Sequence, residues 1–497
     1  MAQKISIKKN FVMNIILTLS SIIFPIISFP YVSRVLGPGG TGEVDFATSI
    51  IGYFALFSQL GIPTYGVRAV AHVRDNKEKL SRTVHELLTI NLVMSLIVYA
   101  VLIPTLFIVP KFSAEKPLFL VLSLTILLNS IGMEYLYKGL EQYSYITIRS
   151  VIFKVIAFAA MFAFVHEKTD YVIYGGITIL AASASNVLNL FNARKLITFK
   201  RLGGYNYRQH LKAVAIFFSM ACATTIYLHL DTLMLGFMTT KVDVGYYGAS
   251  VKIKNILVAL VTSLGNVLLP RASYYVENHQ MDEFKRITAK AMQFVFVAAV
   301  PLMIYFIIFS RQGILFLSGE KYIPAIPAMM IIMPTLFFIG ITNILGIQIL
   351  VPLGKEKYVL YSEIWGAVTD LILNLILIPK FKAAGAAIGT VTAEFVVLAV
   401  QLFYMNKLKE QISVKKLFKR ISYGKILIAC SLATIASIWV RYINIPLWED
   451  KVLLHNLMLI AVSAIPFFGV YGLSMIIMKD EMVTDIFNTV MKKVFRR

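Results

Sequence analysis

Charge is scarce in this chain, and negative charge is scarcest. Only 15% of the 497 residues are Asp, Glu, Lys or Arg, and the acidic ones number 26 against 48 basic. A soluble globule of this length needs far more charge to cover its surface, so the composition excludes one. Cysteine is nearly missing as well. Cys222 and Cys430 both sit within apolar runs, which excludes a disulfide framework and reads as small core residues. The seven histidines are scattered. No spacing suits a metal, and no nucleophile stands beside a base. No catalytic residue, metal or cofactor is therefore expected, and the absence of a long polar connection argues against a membrane enzyme.

What is present is apolar. Hydrophobic residues make up 58% of the chain and its mean hydropathy is +0.75. Runs of the roughly 20 residues that cross about 30 Å of hydrocarbon recur along the whole length. Backbone groups in lipid must be paired internally, and unbroken runs of this kind are helices rather than alternating barrel strands. The expected fold is an all-α integral membrane protein with about fourteen transmembrane helices. These spans 1 to 14 centre near residues 11–33, 45–66, 86–109, 117–137, 146–165, 170–192, 211–235, 249–269, 288–310, 325–351, 358–378, 384–405, 423–443 and 453–477. Lys4, Lys8 and Lys9 before an apolar run resemble a signal peptide, but the run from Phe11 to Val32 is too long and lacks a cleavage site. It is expected as span 1.

Positive charge then sets the orientation. With the N-terminus in the cytoplasm, most of the 48 lysines and arginines fall in cytoplasmic connections, above all Arg68 to Arg82, Arg194 to Lys212 and Lys407 to Lys425. An even number of spans leaves both termini cytoplasmic. The net charge of +22 is thereby a matter of topology, and no nucleic-acid partner is expected.

The organising stretch runs from Arg34 to Arg82. A faint copy follows about two hundred residues later, with Gly42 and Arg68 spaced as Gly245 and Arg271 are. Tyr137-Lys138-Gly139-Leu140-Glu141 likewise resembles Pro352-Leu353-Gly354-Lys355-Glu356. An internal duplication divides the chain into an N-terminal lobe over residues 1–203, a C-terminal lobe over 204–406, and two appended spans with a tail over 407–497. Six spans per lobe make the repeats parallel, an architecture of transporters with the substrate path between lobes.

Ionisable residues inside spans are costly and face protein or water. Span 5 carries Arg149 and Lys154, span 7 His229 and Asp231, span 11 Glu363 and Asp370, and span 12 Glu394. Glu134, Lys138, Lys252 and Lys254 stand near span ends. Glu363, Asp370 and Asn374 share one helical face. Asn186 and Asn189 form a similar pair in span 6. Pro25, Pro30, Pro63 and Pro334 mark places to bend. The turn Gly37-Pro38-Gly39-Gly40 is followed by no Gly-Lys-Ser/Thr, which excludes a nucleotide loop.

The stretch R-V-L-G-P-G-G-T-G-E-V-D-F-A from Arg34 to Ala47, with G-I-P-T-Y-G-V-R from Gly61 to Arg68 and A-A-G-A-A-I-G-T from Ala383 to Thr390, resembles the bacterial polysaccharide-transport flippases. These belong to the multidrug/oligosaccharidyl-lipid/polysaccharide exporter superfamily. The resemblance implies two six-helix lobes in the bacterial cytoplasmic (inner) membrane. It implies a cargo of undecaprenyl-diphosphate-linked oligosaccharide moved from inner to outer leaflet by alternating access, coupled to H⁺ or Na⁺. Membrane lipid and glycan polymerase or assembly proteins are the other partners it implies.

The residues offer matching chemistry. A diphosphate calls for cations, here Lys154 with Arg34, Arg68, Arg271 and Arg149. Sugars call for amides and aromatic faces, here Asn186, Asn189, Asn374, Tyr227 and Trp365. Glu363, Asp370, Asp231 and Glu394 are the candidates for ion coupling. The competing readings are a multidrug or organic-cation antiporter, a peptidoglycan-precursor flippase of the same superfamily, and a non-transporting membrane scaffold, which has no need of inward charges.

The orientation is open to direct test. In a variant lacking Cys222 and Cys430, single cysteines at Asp75 and Lys416 are expected to react only after the membrane is permeabilised. Labelling of either from outside intact cells overturns the topology.

Overall fold

The computed structural model describes residues 7–409, 412–419, 421–442 and 452–494. Among them there is no strand, and helices follow one another with short breaks. The chain forms two compact units, Met1–Gly245 and Tyr246–Arg497.

The helices of unit 1 that carry the argument are α1 (Ile7–Gln59), α2 (Ile62–Val73), α3 (Lys77–Ile108), α4 (Lys116–Gly132), α5 (Tyr143–Phe164), α6 (Asn186–Leu196) and α7 (Arg208–Met238). Helix α8 (Lys241–Glu277) leads from unit 1 into unit 2. Unit 2 continues with α9 (Met281–Ile308), α10 (Glu356–Lys407), α11 (Tyr423–Ile438), α12 (Val452–Ile477) and α13 (Glu481–Val494).

Two of these helices are too long for one crossing. The 53 residues of α1, at a rise of about 1.5 Å each, extend about 80 Å, more than twice the hydrocarbon thickness. Helix α1 breaks at Gly37, whose φ of 68° suits glycine and whose successor is a proline. The 52-residue α10 breaks at Lys382, with φ 51° and ψ −126°. Both breaks fall between expected spans. By length and composition, nine helices of the described residues suffice to cross a membrane, or twelve when each of three bent pairs is one span. Dividing α1 and α10 at their breaks would bring that upper count to the expected fourteen, which we carry into the proposal below.

Proline marks several of the breaks. Pro63 opens α2 just after Leu60 and Gly61, both in the left-handed region. Pro334 stands in a 42° bend between Glu320–Ile332 and Thr335–Leu350.

Inside unit 1, packing relies on small polar residues rather than on apolar bulk alone. Ser58, Ser95 and Ser130, from α1, α3 and α4, form a buried triangle of hydroxyls with edges of 2.7, 3.2 and 2.7 Å. Such contacts let helices approach and replace water that lipid does not supply. In unit 2, α11 and α12 join the core of α9. The Tyr305 hydroxyl lies 2.8 Å from Ser463, and Tyr471 donates to the carbonyl of Val297 at 2.9 Å.

One end of unit 1 is closed by charge and by bare backbone. Lys241 pairs with Glu43 and, at 2.7 Å, with Glu115, which also accepts the Tyr171 hydroxyl at 2.7 Å. Lys111 caps the C-terminus of α7, donating to the carbonyls of Gly236 and Phe237 at 2.6 and 2.9 Å. Beside these pairs the turn after Gly37 meets the start of α8. A Cβ on Gly42 would strike the Lys241 carbonyl, and one on Gly245 the Pro38 carbonyl.

Gly42→Val and Gly245→Val are therefore expected to destabilise the protein by about 1–3 kcal/mol, the cost of overpacking. Gly469→Ala, at a helical glycine where an added Cβ meets open space, serves as the control and is expected to stabilise by up to about 1 kcal/mol. Melting curves in detergent check both; equal melting temperatures for all three variants would remove the close approach.

Candidate functional site

The structure gathers some of the candidate residues and disperses others. Arg149, on α5, is buried at 5% exposure. Its guanidinium donates to Ser185 Oγ and Asn186 Oδ1, each at 2.8 Å. Asn186 in turn donates to Asn129 Oδ1 of α4 at 3.1 Å. Asn189 donates to the carbonyl of Gly132 at 2.6 Å, and its own carbonyl accepts the Tyr137 hydroxyl at 2.6 Å. A π-helical turn over Leu180–Ala184 precedes α6 and shifts its register. Arg149, Asn186 and Asn189, assigned on sequence to different parts of the cargo, thus belong to one polar cluster.

Lys154 follows Arg149 along α5 and is half-buried. Its Nζ donates to Ser20 and Ser21 of α1 at 2.8 and 2.7 Å. Both cations are held by neutral oxygens. Among the described residues neither takes part in an ion pair, although an isolated charge in hydrocarbon is costly. Arg34 donates to the carbonyl of Pro30 at 2.6 Å, one turn back on α1. Arg68 on α2 and Arg271 on α8 are exposed. The arginines at the ends of the repeat thus hold their own helices or face outward.

In unit 2 the two arms of α10 bring a second group together. Asp370 and Asn374 are buried on the first arm, and Gly389 on the second comes so close to them that its Cβ would lie 3.0 Å from Asp370 Oδ1. The next residue, Thr390, donates to the carbonyl of Ala386 at 2.9 Å and accepts from the Tyr247 hydroxyl at 2.9 Å. The carboxylate of Asp370 and the amide of Asn374, packed against a glycine without bulk, form an oxygen-rich corner. Glu394 is buried one turn beyond Thr390, Glu363 is half-buried and Trp365 is exposed. Asp231 is buried in unit 1, and the Tyr227 side chain lies outside the described residues.

A cavity of about 220 Å³ also opens in unit 1 among α1, α2 and α7, lined by Gln59, Thr64, Ala221 and Thr225. Two further clusters were not reached from sequence. Lys241 with Glu43 and Glu115 falls in expected loops. Glu86 and His210 fall at the expected starts of spans 3 and 7, whereas α3 begins at Lys77 and α7 at Arg208. The earlier starts draw both residues into the protein interior.

A family model described as polysaccharide biosynthesis protein matches residues 7–276, and one described as MatE matches residues 215–376. A curated relative from Escherichia coli (strain K12), described as an O-antigen transporter, is 23% identical over 412 residues, covering 82% of this chain and 98% of its own. The solved structure of the lipid II flippase MurJ in an inward closed conformation aligns with 91% of this chain and 99% of its own, at 15% identity and a TM-score of 0.61. An inward-facing multidrug resistance transporter of the MATE family aligns with 79% of this chain and 96% of its own, at 13% identity and a TM-score of 0.58. At these identities the two structures bear on the fold, which is that of multi-pass helical transporters.

The Arg149 cluster has a measurable stability consequence. Asn186→Leu removes one acceptor from a buried guanidinium and the donor to Asn129, and is expected to cost about 1–3 kcal/mol. A melting temperature equal to that of the unaltered protein would show that the cluster contributes no stability.

Proposed function

Because the chain belongs to the polysaccharide biosynthesis protein family, as a flippase of the multidrug/oligosaccharidyl-lipid/polysaccharide exporter superfamily, we propose that its cargo is an undecaprenyl-diphosphate-linked oligosaccharide repeat unit. The cargo passes from the inner to the outer leaflet of the bacterial cytoplasmic membrane by alternating access. Residues 1–203 and 204–406 act as the two rocking lobes of a fourteen-span protein with cytoplasmic termini.

The observation that carries this reading is the pair of cations on α5. Arg149 and Lys154 donate their hydrogen bonds to hydroxyl and amide oxygens, and a diphosphate offers a full negative charge at the same distance. Hydrogen bonds to charged groups are worth about 1.5–3 kcal/mol each, enough to exchange serine for phosphate as the head group enters. Arg34, Arg68 and Arg271 guide the anion at the two mouths. The amides of Asn186, Asn189 and Asn374, with Tyr227 and Trp365, take the sugars, and the polyprenyl tail stays in membrane lipid.

Coupling to H⁺ or Na⁺ falls to Asp370, with Glu363, Asp231 and Glu394. The corner of Asp370 and Asn374 favours it, because carboxylate and amide oxygens are donors that a hard cation takes. Glycan polymerase or assembly proteins would receive the product.

Lys154→Arg keeps the charge and is expected to retain part of the surface display of glycan in complementation. Lys154→Ala is expected to lose it at equal protein abundance. Normal display by the alanine variant would remove Lys154 from cargo binding.

A further inference from the structure

Helices α1 and α7 face each other along two stripes of residues that none of the clusters above uses. On α7, Phe217, Ala221, Thr225 and His229 recur every four residues and share one face. On the arm of α1 that follows Gly37, Gly52, Ala55, Leu56 and Gln59 are spaced by three, one and three residues and share another. The stripes touch at both ends. At one end α1 stops in two left-handed residues, Leu60 at φ 45° and Gly61 at φ 73°. This turn presses on α7, where a Cβ on Gly61 would lie 2.5 Å from the Phe217 carbonyl carbon and the Phe218 nitrogen. At the other end a Cβ on Gly52 would lie 3.4 Å from His229 Nε2. Ring pairs reinforce both contacts, Phe57 with Phe218 at 5.5 Å between centroids and Tyr53 with His229 at 6.2 Å.

Between the two contacts the side chains are too small to fill the space. Ala55 and Ala221 bring a single methyl each, and a cavity of about 220 Å³ remains. It has room for about seven waters at about 30 Å³ each. Its walls are of two kinds: Leu56, Pro63 and the alanines are apolar, while Gln59, Thr64 and Thr225 bring an amide and two hydroxyls. Among the described residues, none of these three side chains makes a hydrogen bond to the protein. The neighbouring Thr224 differs, returning its hydroxyl to the carbonyl of Met220 at 3.2 Å. No charged side chain lines the cavity.

Those walls discriminate among ligands. A diphosphate needs cations, which are missing from the lining. A hydrocarbon chain would leave the amide and both hydroxyls without partners. A sugar ring meets both demands, because it has an apolar C–H face and a rim of hydroxyls that donate and accept. The volume suits one such ring.

We propose that the cavity between α1 and α7 binds a single sugar ring, with Gln59, Thr64 and Thr225 at its hydroxyls and Ala55 and Ala221 against its C–H face. Gln59 is the central contact, since its amide both donates and accepts. Neither Arg149 nor Lys154 lines the cavity, so sugar and head group are taken at separate places. That the ring belongs to the cargo rests on the oligosaccharide reading above, whereas the capacity of the cavity for a sugar does not.

The test uses the full chain in nanodiscs of phosphatidylethanolamine and phosphatidylglycerol, with the methyl glycosides of glucose, galactose, N-acetylglucosamine and rhamnose as probes. Saturation-transfer NMR is expected to reach the ring protons of at least one of them. Ala221→Phe, which fills the cavity, is expected to abolish the transfer. Gln59→Leu and Thr225→Val are each expected to weaken binding by about two- to tenfold, the effect of one hydrogen bond. No transfer from any of the four probes, or transfer that Ala221→Phe leaves unchanged, overturns the site. If Ala221→Phe fails to fold, Thr225→Val, which keeps the shape of threonine, decides in its place, and unchanged binding overturns the site. Loss of glycan display in Lys154→Ala alongside such a result leaves the cargo reading standing. Normal display in Lys154→Ala alongside transfer that Ala221→Phe abolishes leaves the sugar site standing without Lys154.

Discussion

Everything in this protein follows from placing a peptide chain where water cannot reach it. A hydroxyl, amide or charge in hydrocarbon finds its partner within the chain or costs several kcal/mol. The serine triangle of Ser58, Ser95 and Ser130 meets that demand across three helices. Arg149, Asn186 and Asn129 meet it across α5, α6 and α4. Helix contacts in lipid gain little from apolar burial, since the lipid tails are as apolar as leucine. Polar pairs and close backbone approach consequently do much of the work of specifying which helices touch.

The same constraint separates two kinds of polarity. Neutral groups that satisfy one another, such as the serines, are complete as they stand. The guanidinium of Arg149 and the ammonium of Lys154 instead donate to neutral oxygens, which carry no full charge to match theirs. The oxygen-rich corner of α10 is the opposite case, with anionic and neutral acceptors gathered where Gly389 leaves space. The first arrangement leaves room for a stronger anionic partner, and the second for a cation.

Much of this was legible in the sequence, because long apolar runs and the placement of lysine and arginine are strong signals that depend on composition more than on packing. The breaks at Gly37 and Lys382 fall where the expected spans divide. The face shared by Asp370 and Asn374 follows from helical spacing. What was not legible depends on contacts between distant residues. Glu86 and His210 were not among the candidates, because hydropathy places helix starts several residues too late when the first turns are polar. Nor does spacing reveal that Lys154 is met by Ser20 and Ser21, which are separated from it by more than a hundred residues. That Arg149 and the asparagines of α6 form one cluster likewise requires the fold of α4 to α6.

The meeting of Gly42 with Lys241 and of Gly245 with Pro38 brings backbone against backbone with no side chain between. A contact made by side chains loosens by degrees, as rotamers turn and long chains follow a retreating partner. Glycine and a carbonyl have nothing to extend. Once the two turns part by more than a fraction of an ångström, the dispersion contact is lost outright. The contact at this end of unit 1 therefore has no side chain with which to follow a retreating partner, and a small parting is enough to break it.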